Sequence, residues 1–243
     1  MFWNRMSFFF NRADLMFYVF IIIPIFIISI LISLILRKIY KKYSNVNSKN
    51  QISGAIVARN ILDSYGLNYV RIEPVSGELS DHFDPRANVV RLSSLNYGGT
   101  SIASIGVAAH EVGHAIQYQK QYFPIKFRAL IIPVTNFGSK LFYPIFSVGL
   151  FISNFKLLFL GLILFSLVTF FELVTLPVEF DASARAVKIL KSQNILTKQE
   201  LKGVKKVLIA AALTYVVSFV SSLAQLIRLI LVVFLRSNNS RDD

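Results

Sequence analysis

Four stretches of this chain stay apolar for longer than a buried core helix requires. Residues 15–36 (LMFYVFIIIPIFIISILISLIL) are 22 positions without a charge, enough as a helix to cross a hydrocarbon layer of about 30 Å. Residues 130–176 form a block roughly twice as long as one span. Its best break is Ser153-Asn154-Phe155-Lys156, so it reads as a helical hairpin whose first limb is weakened by Lys140. A last run covers residues 207–227, followed by Arg228 and LILVVFL. The first run is too long for a secretory signal and lacks a small-residue cleavage site after it. Arg37, Lys38, Lys41 and Lys42 follow at once, as they do after a membrane anchor. The pattern predicts four transmembrane helices.

Between the first and second runs the periodicity changes. Residues 53–65 bring Ile56, Ala58, Ile61 and Leu62 into helical spacing and end at Gly66. Residues 67–75 (LNYVRIEPV) alternate and read as a strand, and residues 88–92 (NVVRL) as another. Ser76-Gly77 and Asp84-Pro85-Arg86 are turn signals. Gly98-Gly99 breaks the chain, Thr100 or Ser101 can cap, and a helix over residues 102–119 follows. Further on, Pro177 can begin a helix at its first turn. Five segments result: 1–36 with the first span, a polar domain over 37–128, a transmembrane hairpin over 129–176, a polar segment over 177–206, and the last span with a tail over 207–243.

Composition agrees with a membrane protein: 54% of the 243 residues are hydrophobic and the mean hydropathy is +0.57. The net charge of +13 would suit nucleic acid, but its distribution does not. Of 26 basic residues, 12 fall in 37–128 and 7 in 185–206. Those segments share one face if the block between them crosses twice, and the positive-inside rule then makes that face cytoplasmic, with the N-terminus outside. Topology and anionic headgroups explain the basic excess, so no nucleic-acid partner is expected. The absence of cysteine excludes disulfides and thiolate metal sites.

Candidate chemistry lies in residues 108–117, AAHEVGHAIQ. His110 and His114 stand four residues apart, so a helix presents both imidazoles on one face, within reach of one zinc ion. Glu111, angled off that face, suits a general base acting on the metal's water. Ala108, Ala109, Gly113 and Ala115 allow another helix to approach closely. A catalytic zinc site needs a third protein ligand. Glu179 is favoured, just beyond the third apolar run, with Asp181 as the competitor or as a group orienting a ligand. Glu179 can meet the histidines only if an even number of spans separates them, which the hairpin supplies. His82 and Arg185 are the candidates for stabilising an oxyanion, and the strand over 88–92 for pairing with an extended substrate.

These residues carry a resemblance. DHFDPR (81–86), SIASIGVAAHEVGHAIQY (101–118), FGS (137–139), TLPVEFDASARA (175–186) and KKVLIAAALTYV (205–216) resemble the YugP-type membrane zinc metallopeptidases. More distantly the chain is similar to gluzincins such as the HtpX-like membrane proteases, whose third ligand lies in a Glu-x-x-x-Asp pattern after two spans. On that pattern Glu179 matches the ligand, and Ser183 stands where the supporting aspartate would be, with Asp181 available for its task. The resemblance implies a bacterial membrane protein that is a Zn2+-dependent peptidase. With the hydropathy and charge pattern above, the expected fold is an α+β membrane protein, mostly helical, with about four transmembrane helices and a small mixed α/β zincin-like cytoplasmic domain. It is expected to be multi-pass in the cell membrane, with its active site facing the cytoplasm. The expected partners are a peptide or protein substrate and the lipid bilayer, with homo-oligomers or other membrane proteins left open. The rival readings are a catalytically inactive zinc-bound membrane scaffold, and a metal transporter, which would need its ligands inside the spans.

Overall fold

All four apolar runs form helices, which satisfy their backbone hydrogen bonds without help from a neighbour. The computed structural model describes residues 16–239; the start of the first expected segment, residues 1–15, and the last four residues of the tail lie outside them. A π-helical turn at Tyr18–Ile22 leads into α1 (Ile23–Ser44). Then come α2 (Gly54–Ser64), β1 (Arg71–Val75), β2 (His82–Asp84), β3 (Val89–Ser93), α3 (Ser94–Gly98) and α4 (Ile102–Gln119). Three long helices follow: α5 (Phe123–Phe151), α6 (Phe155–Ser192) and α7 (Lys198–Asn239). The helix beginning at Tyr18 and the helices α5, α6 and α7 are each long and apolar enough to cross a membrane.

The expected break between α5 and α6 is present. Ser153 adopts a left-handed φ of 55°, and the Asn154 side chain accepts from the Leu157 N–H at 3.2 Å, capping α6. The expected helix start at Pro177 is not present. α6 runs through Pro177 without interruption, giving up the one hydrogen bond that proline cannot donate. The residues after it (DASARAVKIL) are mostly good helix formers that carry the helix on.

Contacts divide the chain into two compact units. One comprises the described residues up to Leu31 together with 128–174 and 215–239. Its interior holds Phe142, Phe146, Leu158, Leu229 and Val233. Here Glu172 accepts from the Ser218 hydroxyl at 2.9 Å, and the Arg228 guanidinium lies 4.4 Å from the centre of the Tyr18 ring.

The other unit, residues 32–127 and 175–214, holds the sheet. Its order is β1-β3-β2, with β1 parallel and β2 antiparallel to β3. β3 is thus central and occupied on both sides, so the strand expected to receive a substrate has no free edge; β2 has one. β2, which the local pattern did not mark, forms because His82–Asp84 pairs with Val89–Arg91, and the expected turn follows it at residues 85–88. The helix α2 buries Val57, Ala58, Ile61 and Leu62, while Ile56, expected in that stripe, is 53% exposed. The Ser53 and Ser101 side chains cap α2 and α4 by accepting from Ile56 N–H and Ser104 N–H. At the start of α7, Thr197 and Glu200 form a reciprocal capping box, and Glu200 also accepts from the Lys49 N–H at 2.8 Å.

Candidate metal centre

The close approach of α4 to α6 builds the site. A Cβ placed on Gly113 would come within 2.8 Å of the Ala182 carbonyl oxygen, closer than any real side chain tolerates. Only glycine lets the backbones meet there. The contact lies beside His110 and His114 on α4, and Ala182 is three residues beyond Glu179 on the same side of α6.

Glu179 Oε2 stands 3.3 Å from His110 Nε2 and 3.7 Å from His114 Nε2. The ligand atoms of all three residues lie within 4.8 Å of one another. Ligands about 2.1 Å from a tetrahedral zinc ion are roughly 3.4 Å apart, so the two separations from Glu179 are close to those such an ion requires. Two imidazoles and one carboxylate also match zinc's preference and leave a fourth position open.

A second layer fixes the imidazoles. The Gln117 side-chain amide donates to the Val178 carbonyl and to Asp181 Oδ2, both at 2.8 Å. With both N–H groups committed, its oxygen must accept, and it does so from His114 Nδ1 at 3.0 Å. His114 therefore carries a proton on Nδ1 and turns Nε2 toward Glu179. Ser183 Oγ lies 3.1 Å from His110 Nδ1 and serves that ring in the same way. Asp181 is held by Arg185 Nε at 2.5 Å, and the Arg185 guanidinium lies over the Tyr122 ring, 5.8 Å from its centre. Asp181 thus acts through Gln117 and is absent from the group of three.

Glu111 is buried beside the two histidines, only 8% exposed. Burial pushes its carboxyl above the usual range; His110 and His114 oppose this, and Glu179 and Asp81 add to it. Burial disfavours a charged His114, yet the Glu179 and Glu111 carboxylates hold it above the ordinary histidine value.

The two oxyanion candidates are held by partners outside the ligand group. His82 is on the exposed edge strand β2, with Nδ1 2.8 Å from the Ser80 carbonyl and Nε2 3.4 Å from Arg91. The neighbouring Phe83 packs edge-on against Tyr118 of α4, with ring centres 5.7 Å apart. Arg185 is engaged with Asp181. Gln117 received no role from the sequence, although its place three residues after His114 on the same helical face was a usable sign.

The chain matches the family described as "Putative neutral zinc metallopeptidase" over residues 18–234. It is 48% identical over 204 residues to the "Putative membrane protease YugP" of Bacillus subtilis (strain 168), covering 84% of this chain and 89% of that protein. No solved structure matches it. With a family match across nearly its whole length and a zinc-compatible group of His110, His114 and Glu179, this chain belongs to the family described as "Putative neutral zinc metallopeptidase".

Proposed function

We propose that this chain is a membrane-embedded endopeptidase that hydrolyses peptide bonds of membrane-associated or unfolded proteins at the membrane–cytosol boundary. The observation that carries it is the convergence of Glu179 from α6 on the paired histidines of α4, with Glu111 buried alongside. The four long apolar helices and the name of the Bacillus relative support placement in a membrane. The basic segments 37–128 and 177–206 favour the cytoplasmic side for the site, with residues 129–176 crossing as a hairpin.

His110, His114 and Glu179 would hold the zinc ion, while Gln117 and Ser183 keep the two imidazoles turned toward it. When bound, zinc supplies a Lewis acid that acidifies a water molecule and polarises the scissile carbonyl. Glu111 takes a proton from the attacking water as its oxygen adds to the carbonyl carbon. The carbon–nitrogen bond then breaks, and Glu111 returns that proton to the departing amine. A raised carboxyl pKa suits this double duty, since the group must both accept and release the proton. The free edge of β2, antiparallel to β3, is the place for an extended substrate, and His82 on that strand is the candidate donor to the oxyanion. Arg185 contributes by fixing Asp181 and, through it, Gln117.

The test compares cleavage of an unfolded protein substrate by the wild type and by Glu111→Gln, with zinc content measured in both. Loss of cleavage with zinc retained supports a peptidase. Equal background in both would identify a zinc-bound scaffold.

A further inference from the structure

Beside the metal ligands, α6 and α7 leave a groove of about 550 Å³. It runs between residues 180–191 of α6 and 205–213 of α7, two limbs joined by the turn at residues 193–197. Its ends differ in chemistry. Lys188, Lys191 and Lys205 line the part near the turn, and Phe180, Ile209 and Leu213 the part farther from it. Those three apolar side chains are 48%, 59% and 41% exposed. From Lys205 to Leu213 is about 12 Å of helix. Among the described residues none of the three lysines has an ion-pair partner.

We propose that this groove binds an anionic phospholipid, its phosphate against the three lysines and an acyl chain along Phe180, Ile209 and Leu213. The order of charge and apolar surface along the groove repeats the order of head and tail in such a lipid. The apolar end also points the way α7 continues into its long hydrophobic stretch. A zwitterionic lipid would leave the lysines without a net counter-charge. A second copy of this chain, itself carrying +13, would add repulsion at a cationic rim. The groove also adjoins the metal centre through one residue: Ser183, which bonds His110, forms part of its wall. Lipid in the groove therefore bears on the hydrogen bond that orients a metal ligand. This inference rests on the membrane placement proposed above.

The experiment uses the full chain purified from membranes in a neutral detergent. Native mass spectrometry follows retention of dioleoyl-phosphatidylglycerol against dioleoyl-phosphatidylcholine. The wild type should retain the anionic lipid about tenfold more strongly, as a few lysines near a headgroup provide. The triple variant Lys188→Gln/Lys191→Gln/Lys205→Gln should lose that preference. Ala184→Phe, which fills the groove at an exposed position, should lose both lipids. Equal retention of the two lipids by the wild type would overturn the proposal, as would a preference that survives the triple variant. Displacement of the lipid by equimolar inorganic phosphate, or a dimer that the triple variant dissolves, would also overturn it. Zinc content and recovery from the membrane fraction are read on the same samples. A failed lipid preference in zinc-loaded, membrane-derived protein thus counts against the groove alone.

Discussion

Gly113 and Ala182 meet backbone to backbone, so close that a single methyl group on Gly113 would lie 2.8 Å from the Ala182 carbonyl oxygen. This contact sets the separation of the motif helix from the helix that returns Glu179. Gly113→Ala must therefore push α4 and α6 apart, at a cost of about 1–3 kcal/mol. The expected result is a folded protein of lower melting temperature whose zinc affinity falls at least about tenfold. Zinc titration with a chromogenic chelator measures it, and wild-type affinity would show that the contact does not control the site.

Removing the carboxylate should be more severe. Glu179→Ala leaves two imidazoles and no third ligand, so purified protein should lose its zinc and its cleavage together. Asp181→Ala should keep much of its zinc, because Asp181 bonds to Gln117 and stands outside the three ligand atoms. Metal analysis of the two variants side by side decides which carboxylate is the ligand.

Gln117 offers a separate test of the second layer. Gln117→Leu deprives His114 Nδ1 of its acceptor and leaves Asp181 without that donor. Zinc affinity should drop by about 10–100-fold. Ser183→Ala should act in the same direction on His110. Unchanged affinity in both would mean that the imidazoles are oriented by packing alone.

Glu111→Gln should lower the turnover number by about 10²–10⁴ while zinc content stays whole. It also carries a pH signature in metal-free protein. Burial raises the Glu111 carboxyl above its value in the unfolded chain, so the ionised form disfavours the native state. The contribution of Glu111 to stability is full below the unfolded carboxylate pKa and is lost as pH rises through the folded value. Metal-free Glu111→Gln should therefore melt higher than metal-free wild type at neutral pH. The difference should shrink in acid, where both side chains are neutral, and calorimetry at two pH values gives the sign.

His82→Ala tests the edge strand. Its imidazole is exposed and bonded to the Ser80 carbonyl, so stability should change little. If His82 faces the oxyanion, turnover should fall with zinc content unchanged. Unaltered turnover removes it from the mechanism and leaves β2 only its backbone edge.

The chain's local patterns carried most of its elements. Long apolar runs fix the number of helices able to cross a membrane, because length and hydropathy are properties of each segment alone. The spacing of His110 and His114 fixes their shared face once a helix forms. Thr100 or Ser101 marks the start of α4, with Ser101 the cap actually used, and Ser153 and Asn154 mark the break before α6, because caps and left-handed turns are chosen by a few neighbouring residues. Local reading went astray at Pro177, where good helix formers downstream carry the helix on, and it missed the strand His82–Asp84, which forms because β3 supplies a partner.

What only the tertiary structure decided is which distant groups meet. In the sequence Glu179 is the favoured third ligand and Asp181 its competitor, but nothing local separates the two in space. The packing of α4 on α6 at Gly113 and Ala182 brings the first to the Nε2 atoms and leaves the second on Gln117. The occupied edges of β3, the role of Gln117 and the lysine-rimmed groove likewise depend on helices and strands far apart in the chain. Periodicity reports which face of an element is apolar; it does not report what that face will touch.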